Sequence, residues 1–344
     1  MVLPFDEECR VQYYKLLDEV FDSNQWSEGK MQRTFEEKFE EITGLSSRAI
    51  SSGGAGLLAI LDYLDVSGQE VVVPANTFWA TAQAVKKAGG IPIYADCNKE
   101  DLCLSLASLK QKVTDATKAV IVVHIGGHIA FEIDAIKQFC DEKGIYLIED
   151  CAHAHGAQWN GRQAGSWGIA GSYSFYATKT LPTGEGGMVV SQNKDLIDFV
   201  SKYRNYGKEV INGRVTYPLT TGFNFRMNEM TAALGVVQLN RLNDILSWKR
   251  ELAAKYDRIF DNRVRIPEGM QSGYYKYIVF DYELTEQTGQ VFGVNDLGYR
   301  IDGKSFTLEN SEWVVEHHKC APIYFGWEKS TLSVEELKEY LIGR

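Results

Sequence analysis

Residues 145–191 read IYLIEDCAHAHGAQWNGRQAGSWGIAGSYSFYATKTLPTGEGGMVVS. The stretch opens on an apolar run that ends in two acids, Glu149 and Asp150. It closes on two further apolar runs that flank a lysine, Lys179, and a glycine-rich bend from Gly184 to Gly187. Continuous apolar runs of this kind predict strands buried on both faces, as in a parallel sheet covered by helices. Residues just past such strands, Asp150 and Lys179 among them, stand at the sheet's carboxyl end, where ligands of open α/β folds gather.

Working outward, the same alternation of strand and helix runs from about residue 46 to 200. Strands are expected in EVVVPA (around 71–73), IPIYAD (91–96), AVIVVH (119–124), IYLIED (145–150), YSFYA (173–177) and MVVS (188–191), with helices over 55–64, 80–88, 133–143 and 195–203. That order predicts an α/β fold, a mostly parallel sheet sandwiched by helices. A Pro-free helical run over 228–260, straight or bent, is expected to leave this large domain, placed at 1–240. It would lead into a smaller α+β domain at 241–344, with a strand in YYKYIVFDYEL and a last helix after Ser333. The helical opening, to about residue 45 and including FEEKFEEIT, is expected to pack on the small domain.

Composition narrows the function. A chain of 344 residues with 44% hydrophobic content can bury a large core. The balance of 36 Lys+Arg against 46 Asp+Glu, net −10 without a long basic cluster, argues against a nucleic-acid surface. MVLPFDEECR lacks the basic and apolar parts of a secretory signal, and no run approaches the roughly 20 apolar residues that span a bilayer. A soluble cytoplasmic protein is expected. Cys9, Cys97, Cys103, Cys140, Cys151 and Cys320 are scattered without metal-ligand spacing, so reduced thiols and no metal are expected.

Four segments carry candidate chemistry. Alone, Lys179 reads as a solvated loop lysine; at a strand's ligand end, burial can make it the neutral amine that aldehyde chemistry needs. Ser174, five residues earlier, could bind a phosphate of the same ligand. A buried Asp150 needs a partner, for which the protonated nitrogen of a pyridine ring or the N–H groups of a following turn would serve. His153 could face such a ring or orient Asp150. In SSGGAGLLAILDYL, Gly54 and Ala55 open a helix whose free N–H groups attract phosphate. In VVVPANTFWATAQAV, Phe78 could stack on a planar heterocycle, with Trp79 as the reserve choice.

Read together, SSGGAGLLA, VPANTFWATA, IEDCAHAHGA, GSYSFYATKT, GEGGMVV and GFNFRMNEMTAALG follow the order and spacing of the DegT/DnrJ/EryC1/StrS aminotransferase family, which the chain resembles over roughly residues 25–245. The resemblance implies the fold type I architecture with a seven-stranded type of sheet, pyridoxal 5'-phosphate (PLP) as cofactor with pyridoxamine 5'-phosphate as its alternate form, and a homodimer with active sites at the subunit interface. Lys179 resembles the lysine that bonds the cofactor and moves the substrate proton, Asp150 the partner of the pyridine nitrogen, and His153 the residue beside the ring. Ser174 and the backbone of Gly54 and Ala55 resemble the phosphate cup. Asn224, in the G-x-N-x-R-M segment, stands where the family reaches into the neighbouring subunit's cofactor. Sugar 3-dehydratases of this family carry His in the lysine's place, so Lys179 implies transamination.

The implied reaction moves an amino group from an amino acid, L-glutamate being expected, to a nucleotide-linked keto-deoxysugar in a two-stage exchange. Arg204, Lys208 and Arg226 are candidates for meeting the anionic acceptor. The rival readings are a PLP-dependent sugar dehydratase or lyase, a cyclitol aminotransferase, and a non-catalytic regulator or scaffold. A dinucleotide-binding oxidoreductase would need a G-x-G-x-x-G after the first strand, which is missing. Two departures stand out: Ser52-Gly53-Gly54 replaces the family's usual Ser-Gly-Thr, and the region after Gly273 is short with little motif resemblance.

Overall fold

The computed structural model describes residues 5–343. Two helices, α1 (Glu7–Ser23) and α2 (Lys30–Thr43), precede strand β1 (Ser46–Ile50). Alternation then follows: α3 (Gly53–Tyr63), β2 (Glu70–Pro74), α4 (Ala80–Lys87), β3 (Ile91–Ala95), α5 (Leu106–Lys112), β4 (Thr117–Val123), α6 (Ile133–Lys143) and β5 (Tyr146–Asp150). After the short β6 (Gln158–Trp159) and β7 (Arg162–Gln163) come β8 (Ala170–Ser174), β9 (Gly187–Ser191) and α7 (Lys194–Tyr203). A hairpin of β10 (Glu209–Ile211) and β11 (Arg214–Thr216) leads to α8 (Glu229–Asn240) and α9 (Leu242–Tyr256). The C-terminal part holds β12 (Met270–Gln271), β13 (Tyr277–Phe280), α10 (Gly298–Ile301), α11 (Glu309–His317), β14 (His318–Ala321) and α12 (Val334–Ile342).

The central sheet has seven strands in the order β1-β9-β8-β5-β4-β2-β3. It is parallel from β3 to β8, while β9 runs antiparallel to both of its neighbours. The expected mostly parallel α/β sheet is therefore present. Val71, Val72, Val73, Val120, Ile121 and Ile148 are fully buried, as strands covered on both faces require. β1 escapes the sequence reading because SSRAI is short and half polar, which an edge strand tolerates. The expected strand over 173–177 lies three residues earlier: β8 ends at Ser174, and Phe175 turns into the core against Phe35, 5.0 Å between ring centres.

The helical run over 228–260, expected as a helix with a bend allowed, divides at Arg241, whose φ/ψ of −102°/1° ends α8 and starts α9. The expectation that the opening helices pack on the small domain is corrected: among the described residues they lie chiefly against α8 and β1. Glu229, at the start of α8, accepts N–H bonds from Gly29 (2.9 Å), Met31 (2.7 Å) and Gln32 (3.0 Å), supplying the cap that α2 lacks locally. Gly235 on α8 admits the Phe35 ring, which would sit 2.7 Å from a Cβ there. A second apolar core gathers Leu252, Tyr256, Phe260, Tyr277, Val279, Trp327, Leu337 and Leu341 around α9, β13, β14 and α12. No helix among the described residues is long and apolar enough to cross a membrane.

Candidate active site

A cavity of about 370 Å³ opens at the carboxyl ends of the central strands. Thr77 and Phe78 beyond β2, Val123 at the end of β4, Asp150 at the end of β5, Ser174 at the end of β8, and Lys179 in the following loop all border it. Strand geometry explains why the two acids of β5 part company: adjacent side chains leave a strand on opposite faces. Glu149 points into the protein and accepts N–H bonds from Gly165 (2.7 Å), Trp167 (2.6 Å) and Gly168 (2.6 Å). His124 completes its shell at 2.9 Å. Because Nδ1 of His124 accepts from the Ala130 N–H, its Nε2 carries the proton and donates to Glu149. Glu149 is thus consumed by structure.

Asp150 faces the cavity. One oxygen accepts the Ala152 N–H at 3.1 Å and the other the Thr81 hydroxyl at 3.0 Å, with Thr77 behind Thr81 at 2.9 Å. Burial raises the Asp150 pKa, opposed by the Ala152 N–H, the charge of Lys179 and the Thr81 bond. Burial lowers Lys179 to about 8; Asp150 opposes that shift and Lys276 adds to it. The Lys179 Nζ makes no hydrogen bond among the described residues and lies 4.8 Å from the centre of the Tyr275 ring.

His153 stacks on Tyr275, with ring centres 4.1 Å apart and planes at 25°. Burial, followed by the charge of Lys179, holds its pKa well below the usual range, so the ring is neutral. Its Nδ1 is buried without a partner. His153 does not orient Asp150; Thr81 does, from α4. Thr81 was within a quoted segment but had no spacing that singled it out. Tyr275 lies in the C-terminal region where no motif was legible.

The N-terminus of α3 forms another wall through Ser52, Gly53 and Gly54. Ser52 caps the helix by accepting the Ala55 N–H at 3.1 Å. β9 touches this turn so closely that a Cβ at Gly187 would stand 2.4 Å from the carbonyl carbon of Ser52. The GEGG bend therefore serves the approach of two backbones.

Of the sequence-predicted residues, Gly54, Phe78, Asp150, His153, Ser174 and Lys179 share this cavity. Phe78 borders it and is 78% exposed, whereas Trp79 does not border it and stacks under the Lys86 ammonium at 5.0 Å. Ala55 lies behind the wall with its N–H already bonded. Asn224 is exposed outside the cavity, bridging to Asn205. None of the three cations expected to meet the acceptor borders the cavity. Arg204 is buried, ion-paired with Glu36 at 2.6 Å and bonded to the Ala49 carbonyl at 2.5 Å. Arg226 binds the Asn205 side chain, and Lys208 follows it in the same loop region.

Comparison with known proteins agrees with this architecture. The model of the DegT/DnrJ/EryC1/StrS aminotransferase family matches residues 8–285. The chain is 37% identical over 246 residues to the GDP-perosamine synthase of Vibrio cholerae, covering 70% of this chain and 66% of that relative. It is 33% identical over 293 residues to the dTDP-4-dehydro-2,3,6-trideoxy-D-glucose 4-aminotransferase of Saccharopolyspora spinosa, covering 79% and 76%. Among solved structures, the aminotransferase TlmJ of Streptoalloteichus hindustanus superposes with a TM-score of 0.85 at 27% identity, covering 99% of this chain and 96% of that one. The chain belongs to the DegT/DnrJ/EryC1/StrS aminotransferase family, whose transferases depend on pyridoxal phosphate.

Proposed function

We propose that this protein is a PLP-dependent sugar aminotransferase of amino-sugar biosynthesis, taking nitrogen from an amino acid, L-glutamate being the expected donor, and giving it to the ketone of a nucleotide-linked deoxysugar. The observation that carries the reading is the convergence of Lys179, Asp150, Ser174 and the start of α3 on one cavity. The donor set fits the cofactor. Ser174 and the N–H groups at Gly53 and Gly54 suit a phosphate, Asp150 suits a protonated pyridine nitrogen, and the unpartnered Nδ1 of neutral His153 suits a ring hydroxyl. Phe78 offers an aromatic face at the mouth of the cavity. Bound there, PLP supplies an electron-withdrawing ring that stabilises negative charge on the donor's α-carbon.

The chain's own residues do the rest. Lys179, lowered to about 8, reaches its free-amine form much closer to neutral pH than an ordinary lysine, to hold the cofactor and afterwards to carry a proton from the donor carbon. Asp150, held by Thr81 and Ala152, keeps the ring nitrogen protonated. The working unit proposed is a cytoplasmic homodimer. Exposed Asn224, with Phe223 beside it at 63% exposure, is the segment that would reach the partner's site.

The names of the two relatives, one GDP-linked and one dTDP-linked, support a nucleotide-sugar acceptor. A free sugar or cyclitol ketone is the second reading. It is favoured by the absence of Arg204, Lys208 and Arg226 from the cavity wall. The test is the absorbance spectrum of wild type and Lys179→Ala after PLP is supplied, before and after L-glutamate. A visible cofactor band that L-glutamate converts in the wild type alone is the expected result. No band in the wild type would leave the non-catalytic scaffold in its place.

A further inference from the structure

A second cavity, of about 210 Å³, meets the first at Thr178, Lys179 and Tyr275 and runs toward the C-terminal core. Its wall carries three amines, Lys179, Lys249 and Lys276, and no carboxylate. Lys249, on α9, is 4% exposed and donates to the carbonyls of Tyr274 at 2.9 Å and Ile323 at 2.8 Å. Lys276, just before β13, donates to the Thr288 carbonyl at 2.7 Å. Neither forms an ion pair among the described residues. An ammonium has three donors, so each retains at least one N–H that no carbonyl takes.

Enclosed cations without a counter-charge are costly, and proteins pair them or let them lose their proton. Lys249 is lowered to about 7 by burial and by the charge of Lys276, and burial lowers Lys276 as well. Lys179 and Lys276 lie 4.8 Å and 5.5 Å from the centre of the same Tyr275 ring, and Lys276 is the amine whose charge acts on Lys179, whereas Lys249 is tied to Ile323 on the same cavity wall.

We propose that this second cavity is the carboxylate subsite for the amino-acid donor, with Lys276 meeting the α-carboxylate and Lys249 the distal carboxylate of a dicarboxylic amino acid. The inference rests on the aminotransferase reading above. The donor's nitrogen must reach the atom that Lys179 holds, and its α-carboxylate is attached to the adjacent carbon. That carboxylate therefore arrives close to Lys179, on the side where the cations are. Size decides between donor and acceptor: small-molecule sites run from about 300 to 1,000 Å³, and this cavity falls below that range, too small for a nucleoside diphosphate sugar.

The test uses PLP-loaded wild type, Lys276→Gln, Lys276→Arg and Lys249→Gln, with cofactor conversion followed in single turnovers against L-glutamate and L-alanine. Loss of one charge-assisted bond corresponds to an increase of about tenfold in half-saturating concentration. That increase is expected in Lys276→Gln for both amino acids, with the starting cofactor band unchanged and Lys276→Arg restoring the wild-type value. In Lys249→Gln it is expected for L-glutamate alone. Glutarate, which has no amine, should compete with L-glutamate in the wild type, a result independent of any variant's folding. Unchanged half-saturation in Lys276→Gln, or no competition by glutarate, overturns the subsite while leaving the aminotransferase reading intact. Failure of the wild type to respond to any amino acid overturns both.

Discussion

The Thr81 hydroxyl, on α4, donates to Oδ2 of Asp150, at the end of β5, across 3.0 Å and 69 residues of sequence. The bond favours the ionised carboxyl against a burial that disfavours it. Thr81→Val keeps the shape and removes the bond, so the Asp150 carboxyl rises further and holds a protonated ring nitrogen less well. A hydrogen bond to a charged group is worth about 1.5–3 kcal/mol, which corresponds to a fall of about 10- to 100-fold in the donor half-reaction. Single-turnover rates with L-glutamate check this. An unchanged rate would assign Thr81 to packing alone.

Neighbouring acids on β5 should fail in opposite ways. Glu149→Ala strips four donors of their acceptor inside the protein and is expected to cost about 3–5 kcal/mol of stability, seen as a lower urea midpoint. Asp150→Asn removes a charge on the cavity wall. It should unfold at or near the wild-type midpoint while losing at least about 100-fold in turnover, the equivalent of roughly 3 kcal/mol of charge pairing. Equal stability losses in both would contradict the division of labour.

Lys179 sets a pH dependence whose sign follows from its surroundings. The folded protein lowers it from 10.5 to about 8, so protonated Lys179 is disfavoured on folding. Its contribution to stability is therefore least favourable below about 8 and improves as pH rises toward 10.5, where the unfolded chain binds the extra proton. Capture of PLP needs the neutral amine. The rate of cofactor-band growth in the apoprotein should rise with pH to a plateau, with a midpoint near 8. Lys276→Gln should move that midpoint up, since Lys276 lowers Lys179, and Asp150→Asn should move it down. A midpoint that ignores both substitutions would show that another group governs capture.

Legibility in the sequence followed how locally each feature is encoded. Unbroken runs such as EVVVPA and AVIVVH predict strands because burial on both faces leaves polar residues no place. Asp150, Ser174 and Lys179 were legible because each closes or follows such a run. What stayed hidden depends on distant partners. Phe35 and Glu229 carry no mark of the contacts that place the opening helices on α8. Arg204 looked like a free cation until Glu36, 168 residues away, occupied it. Thr81, Tyr275, Lys249 and Lys276 reach the site only through tertiary packing, and three of them lie in or beyond α9, where the quoted motifs end.

The closest backbone approach in the site predicts the cost of one methyl group. A Cβ at Gly187 would lie 2.4 Å from the Ser52 carbonyl carbon, 2.5 Å from its oxygen and 2.7 Å from the Gly53 nitrogen. These are backbone atoms at the start of α3, so they cannot swing aside as a flexible side chain would. Gly187→Ala must separate β9 from the turn that presents the Gly53 and Gly54 N–H groups. Overpacking of this kind costs about 1–3 kcal/mol, and a displaced helix start should weaken PLP binding by about tenfold or more, as loss of a charge-assisted bond does. Ser174→Ala provides the contrast, removing a hydroxyl from the same cavity without steric pressure. It is expected to weaken PLP binding with little change in thermal unfolding, whereas Gly187→Ala lowers both. Cofactor titration beside thermal melts separates them, and wild-type PLP affinity in Gly187→Ala would mean that β9 does not hold the turn in place.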